Sequence, residues 1–201
     1  MDYQPALHHF SKIKEMRPLA EKVVLPPFKT GQNVYFSLLE SIVSQQLSVK
    51  VADVIFARFL ALFPDGHPDP KTLLNIDNQL LRSAGLSFQK SGYLKNVAQF
   101  SLENDLENQD WPSFSDEEII LFLTKIKGVG RWTVEMLLMF TIGREDVLPL
   151  DDLGIQQGFQ KLYGLTEKGK ELKQKMVELA EPWRPYRTIG CRLLWRWKDT
   201  V

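Results

Sequence analysis

Apolar residues recur three and four positions apart along almost the whole chain, and the strict alternation of a half-buried strand is scarce. The pattern predicts an all-α protein of about ten helices. Asn33 precedes a stretch that carries Phe36, Leu39, Ile42 and Val43 on one face, and Ser48 precedes another running to about Phe63. The loop "PDGHPDP" ends that second helix. Asp77 and Gly85 bracket a short one, and Ser87 opens a longer one through Tyr93, Val97 and Phe100. "SDEE", Ser115 to Glu118, is a capping box, and its helix is expected to run through Ile119, Leu123 and Ile126 to Gly128. Beyond Pro149, helices fit 153–163, 167–180 and 186–197, with Thr166 and the turn "PWRP" as boundaries.

Composition narrows the class. With 201 residues, 44% hydrophobic and 25% charged, the chain can bury one sizeable core and is not of disordered type. No apolar run approaches the roughly 20 residues of a membrane-spanning helix, and the N-terminus lacks the apolar stretch of a signal peptide. An intracellular protein with no membrane partner is expected, in the cytoplasm and nucleoid of a bacterium or the nucleus of a eukaryote. The single cysteine, Cys191, excludes an internal disulfide and any site built on several thiolates. The three histidines, His8, His9 and His67, give a histidine-rich metal site or triad little material. Chemistry must then rest on carboxylates, lysines, hydroxyls or backbone groups. The net charge of zero argues against global attraction to a polyanion, although Lys and Arg outnumber acids over residues 167–199. A basic face of that kind is ordinarily just solvated.

The segment "KIKGVGRWTVEML", Lys125 to Leu137, interrupts this helical pattern with Gly128 and Gly130. Gly128 is placed as the residue after a helix end, free to take positive φ, and Gly130 lets the chain turn again before a helix restarts near Arg131. The restart leaves its first amides without carbonyl partners inside the helix, and with the helix dipole behind them they form a small anion site suited to a phosphate. Such a pair of glycines equally suits a tight turn between packed helices.

In full, "LTKIKGVGRWTVEMLLMF" resembles the helix-hairpin-helix of the DNA glycosylase superfamily, which grips one DNA strand through backbone amides. The resemblance implies a single domain of two lobes, approximately 34–110 and 1–33 plus 111–201, with a DNA-binding cleft. It implies DNA contacts at Gly128, Gly130, Arg131 and Thr133. It also implies that an aspartate following the hairpin is essential, and Asp152 in "EDVLPLDDLGIQQGF" matches that place, with Asp151 as a capping or supporting neighbour. Read without the resemblance, an aspartate there is an N-cap. A lone carboxylate suffices for some substrates of this kind. Breaking the bond between a damaged base and deoxyribose builds positive charge on the sugar, which a fixed anion stabilises. A base already cationic through alkylation leaves with little acid assistance.

Bifunctional members carry a lysine nucleophile just before the hairpin-helix threonine, where this chain has Trp132. Indole cannot form a Schiff base, so the resemblance implies a monofunctional enzyme. "GRWT" is similar to the 3-methyladenine DNA glycosylase II type, whose tryptophan lines the base pocket and faces a cationic base. Core packing is the other reading of Trp132. In "WRPYRTIGCRLLWRW", Trp195 aligns with a second pocket tryptophan; Tyr186 is a further pocket candidate, and Tyr186, Trp183 and Trp197 equally suit the core, the default for such aromatics. Met136 stands where that type has a pocket tyrosine.

"SIVSQQLSVKVADVIFARF" resembles the segment that inserts a side chain into the gap left by a flipped nucleotide. Gln46 corresponds to the inserted residue, with Gln45 and Ser48 beside the duplex, and Lys90 in "GLSFQKSGYL" lies near an expected phosphate contact. The implied function is hydrolysis of the N-glycosidic bond of alkylated purines, 3-methyladenine and 7-methylguanine, in double-stranded DNA by a monomer. No cofactor is implied, with a structural monovalent cation at the hairpin carbonyls left open. A glycosylase for another lesion, such as ethenoadenine, a deaminated or an oxidised base, and a non-catalytic DNA-binding module remain as alternatives.

Overall fold

The structure, a computed structural model, describes residues 3–27 and 33–198. Twelve α-helices follow in chain order among the described residues, with no strand. They are α1 (Gln4–Phe10), α2 (Arg17–Lys22), α3 (Val34–Ser44), α4 (Val49–Leu60), α5 (Pro70–Asn75), α6 (Asn78–Ser83), α7 (Phe88–Asn104), α8 (Asp116–Leu123), α9 (Arg131–Leu137), α10 (Leu153–Tyr163), α11 (Gly169–Leu179) and α12 (Arg187–Lys198). A π-helical turn, Leu138–Ile142, continues directly from α9. The all-α expectation therefore holds, with α1, α2 and α5 added. All three begin at or one residue before a proline, which suits the first helical turn because its missing N–H has no partner there. No helix among the described residues is long and apolar enough to cross a membrane.

Several starts are capped as their sequences predict. Asn33 Oδ1 accepts from Phe36 N at 2.7 Å, Ser87 Oγ accepts from Lys90 N at 3.1 Å, and Asp77 accepts from Gln79 N. Ser115 and Glu118 form the reciprocal capping box. Ser48, expected to open α4, stands at its N-cap position with extended backbone, but its hydroxyl makes no capping bond.

The chain divides into two compact units, one of residues 30–137 and one of 1–29 with 138–201. The division thus falls at 137 rather than near 110. The segment 111–137 belongs with α3–α7 because α9 packs on α3 and α8 packs on α9. Within this unit α3 is central, with Tyr35, Leu38, Leu39, Ile42 and Val43 wholly inaccessible, and it meets α4, α7 and α9. The Tyr35 hydroxyl donates to Pro68 O at 2.6 Å, which satisfies the one polar atom that this ring takes into the core.

In the other unit α10 packs on α11 and α12, and α12 on α2. Trp183, fully buried, stacks on Phe159 at 4.8 Å and meets the edge of Phe10 at 6.0 Å. A side chain at Gly158 would stand 2.5 Å from Leu194 Cγ, so this glycine sets how closely α10 and α12 approach.

Candidate functional site

Within the unit of residues 30–137, the hairpin is built by its buried apolar residues and its hydrogen bonds. The α-helical part of α8 ends at Leu123 rather than running to Gly128. Thr124 returns its hydroxyl to Ile120 O at 2.7 Å, and Ile126 N and Val129 N reach back only three residues, to Leu123 O and Ile126 O. Ile126 and Val129 are buried and pin the turn. Gly128 has φ +106, as its place in the sequence predicts, and a Cβ there would lie 2.3 Å from Tyr93 Cγ. Gly130 has no neighbour within 4 Å of such an atom. The helical ladder restarts with Val134 N donating to Gly130 O, so the amides of Arg131, Trp132 and Thr133 precede its first bond.

The side chains at the restart differ from a simple cationic clamp. Arg131 forms a fork with Glu117, at 3.1 and 2.9 Å, and bonds Glu135 at 3.1 Å. Its guanidinium is committed to bracing α9 against α8. Hydrogen bonding to Arg131 holds the Glu117 carboxyl below the usual glutamate range, and bonding to Glu117 raises the guanidinium still further. Thr133 is buried, so its side chain presents nothing to a ligand. Trp132 is 40% exposed, which rules out the core-packing reading, and Met136 is half-buried.

The turn between α3 and α4 is fastened to this hairpin. Gln45 Nε2 donates to Gly128 O at 3.3 Å, and Lys90 Nζ donates to Val43 O at 2.7 Å and Gln45 O at 2.8 Å. The Lys90 ammonium therefore closes the C-terminal end of α3 instead of standing out toward a phosphate. Burial lowers its pKa. Gln46 is exposed and takes φ +59, a left-handed conformation that few non-glycine residues adopt. Gln45, Gln46, Lys90 and Gly128 are thus brought into one corner. Ser48, also exposed, follows directly at the start of α4.

In the unit containing residues 138–201, Asp152 is the N-cap of α10 and half-buried. Its Oδ1 accepts from Ile155 N at 2.8 Å and from Trp195 Nε1 at 2.9 Å. Gln156 Nε2 donates to Leu150 O at 2.7 Å and holds the loop that enters the cap. Asp151 neither caps nor supports Asp152. Its side chain is exposed and pairs with Lys173.

Among the aromatic candidates of this unit, Trp195 is the one brought to Asp152 by a hydrogen bond. Tyr186 packs against His9 at 5.6 Å, Trp183 is core, and Trp197 lies under the ammonium of Lys161 at 5.1 Å. Sequence reasoning missed Phe140, which stacks on Trp195 with centroids 6.0 Å apart. It sits in the apolar run "LLMF" and reads there as one more buried residue, yet it is 39% exposed. Glu117 and Glu135 were missed as partners of Arg131. The i, i+4 spacing of Arg131 and Glu135 was the available signal.

This arrangement has relatives. Residues 39–185 match the profile of the HhH-GPD superfamily base excision DNA repair proteins. DNA-3-methyladenine glycosylase 1 of Schizosaccharomyces pombe is 37% identical over 164 residues, which cover 81% of this chain and 71% of that protein. Among solved structures, a Schizosaccharomyces pombe 3-methyladenine DNA glycosylase in complex with abasic DNA is similar at a TM-score of 0.87 and 32% identity, with 98% of each chain covered. A DNA-3-methyladenine glycosidase of Bacillus halodurans is similar at a TM-score of 0.82 and 32% identity, covering 100% of this chain and 92% of that one.

Proposed function

Because this chain belongs to the HhH-GPD superfamily of base excision DNA repair proteins, we propose that it is a monofunctional DNA glycosylase that releases alkylated purines, 3-methyladenine and 7-methylguanine, from double-stranded DNA. The observation that carries the reading is the Asp152 carboxylate, half-buried at the head of α10 and held on Oδ1 by two N–H donors. A carboxylate so held is an oriented negative charge, which is what a developing oxocarbenium ion needs.

The chemistry follows from the charges. An alkylated purine carries positive charge, so when the glycosidic bond breaks its electron pair leaves with the base and neutralises it. The sugar is left cationic at C1′, opposite Asp152. Water adds to C1′ and gives up a proton to solvent, which yields an abasic site and free base. Trp132 stands at the sequence position where bifunctional members carry their lysine nucleophile, and indole cannot form a covalent link to the sugar, so the strand stays intact. The exposed indole of Trp132 instead offers an electron-rich face to the cationic base, an attraction of about 2 kcal/mol once water is excluded.

DNA is gripped at the hairpin, where Gly130 leaves the backbone open to a phosphate, and Gln46 enters the space left by the extruded nucleotide. Arg131 contributes by bracing the hairpin and Lys90 by closing α3, both indirect roles.

The test is release of free base from duplexes that each carry one lesion, scored over spontaneous loss. The wild type should release 3-methyladenine or 7-methylguanine and leave an alkali-sensitive but unbroken strand. Asp152→Asn should bind the duplex as before and release base on the order of 100-fold more slowly or less. Undiminished release by that variant removes Asp152 from the mechanism, and release confined to ethenoadenine, deaminated or oxidised bases reassigns the substrate.

A further inference from the structure

Two donors from different helices meet on one oxygen of Asp152, and that convergence has a use. We infer that Trp195 is a positioning residue for the Asp152 carboxylate, admitted to it by Gly154. This rests on the reading of Asp152 as the catalytic anion.

An N-cap bond by itself ties down one carboxylate oxygen but lets the group pivot about it. Here Ile155 N and Trp195 Nε1 both donate to Oδ1, at 2.8 and 2.9 Å, from α10 and α12. Two donors from separate elements hold Oδ1 before any substrate arrives and so restrict how the carboxylate can swing. Stabilisation of a developing charge depends on such prior orientation, since a group that must turn first loses much of the gain.

The indole is itself held. Phe140, in the π-helical turn Leu138–Ile142, stacks on it at an interplanar angle of 26°. The guanidinium of Arg192 lies over the Phe140 ring, 5.9 Å from its centroid. Arg192 is buried and donates to Tyr3 Oη at 2.8 Å and Pro26 O at 2.6 Å. The edge of Trp195 is thus committed to Asp152 and one face to Phe140.

Gly154 explains how so large a side chain comes so close. Its φ lies outside the left-handed region, so no turn demands glycine there. A Cβ would stand 3.0 Å from both Cδ1 and Nε1 of Trp195 and 3.1 Å from Asp152 Oδ1. Glycine is a poor helix former, and the clearance it gives the indole accounts for its place in the first turn of α10.

The test compares single-turnover rates of base release from methylated duplex with separately measured duplex affinities. Trp195→Phe keeps an aromatic ring and removes the donor. It should slow release on the order of 10- to 100-fold while affinity stays within about twofold. Gly154→Ala, with Trp195 intact, should slow release in the same direction and shift the Trp195 indole N–H resonance in spectra of the 15N-labelled protein. In an Asp152→Asn background, Trp195→Phe should bring no further loss, because its effect passes through the carboxylate. A wild-type rate in Trp195→Phe, with Asp152→Asn inactive, overturns the inference and leaves the proposed function standing. So does an equal loss from Trp195→Phe in both backgrounds, which would assign the ring to stacking on substrate. Undiminished release by Asp152→Asn overturns the proposed function and this inference together.

Discussion

The side-chain amide of Gln45 donates to the carbonyl of Gly128 across 3.3 Å, joining the turn that presents Gln46 to the glycine turn of the hairpin. Lys90 secures the same turn from below through the carbonyls of Val43 and Gln45. Two loops far apart in the chain are therefore fixed as one surface within their unit, and an exposed glutamine is held in a conformation it would not choose alone.

The two hairpin glycines should separate folding from binding. Gly128→Ala puts a Cβ on Tyr93 in a left-handed residue and should cost about 2–4 kcal/mol in chemical denaturation. A Cβ at Gly130 has no atom within 4 Å, so Gly130→Val should cost only about 1 kcal/mol, as the poorer residue ahead of α9. Its duplex affinity should nevertheless fall about 10-fold, because the added side chain lifts a phosphate off the backbone. Unchanged affinity in Gly130→Val, measured by fluorescence anisotropy, would remove the clamp from the proposal.

Gln46 offers a test of stored strain. Its φ of +59 suits glycine, so Gln46→Gly should leave stability unchanged or raise it by up to about 1 kcal/mol, whereas Gln46→Val should lower it by about 1–2 kcal/mol. If the glutamine fills the gap in the stack, Gln46→Gly should also slow base release despite the sounder fold. Equal rates for both proteins would assign the gap to another residue.

Lys90→Met should destabilise by about 1–3 kcal/mol, because two carbonyls at the end of α3 lose an ammonium donor. The salt dependence of duplex binding should keep its slope. A lysine that neutralised a phosphate would, when removed, reduce that slope by about one. The pair of measurements decides between the two roles.

The Glu117–Arg131 fork should be visible in the acid range. Hydrogen bonding to Arg131 places the folded-state pKa of Glu117 below its unfolded value, so the contribution is full above the unfolded value, near 4.3, and is lost as pH falls through the folded one. Stability of the wild type should therefore drop faster than that of Glu117→Gln as pH is lowered from about 4.3. Urea denaturation at several pH values between about 3 and 6 checks this, and parallel curves would show that the fork adds nothing.

What the sequence settled by itself is local. Asn33, Asp77, Ser87, Ser115 and Asp152 announce helix starts because a cap bonds amides only two or three residues away, and Gly128 announces its turn because φ is a property of one residue. The glycine pattern and the aspartate after Pro149 were legible for the same reason. Only the folded chain could decide which side chains share an oxygen, a carbonyl or a ring face. Trp195 meets Asp152 across 43 positions, Lys90 meets Val43 across 47, and Gln45 meets Gly128 across 83. Those meetings depend on how α10 packs on α12 and α7 on α3, which no spacing within a single helix encodes. They give Lys90 and Arg131 partners inside the protein and bring Trp195, an aligned aromatic in the sequence, to the carboxylate.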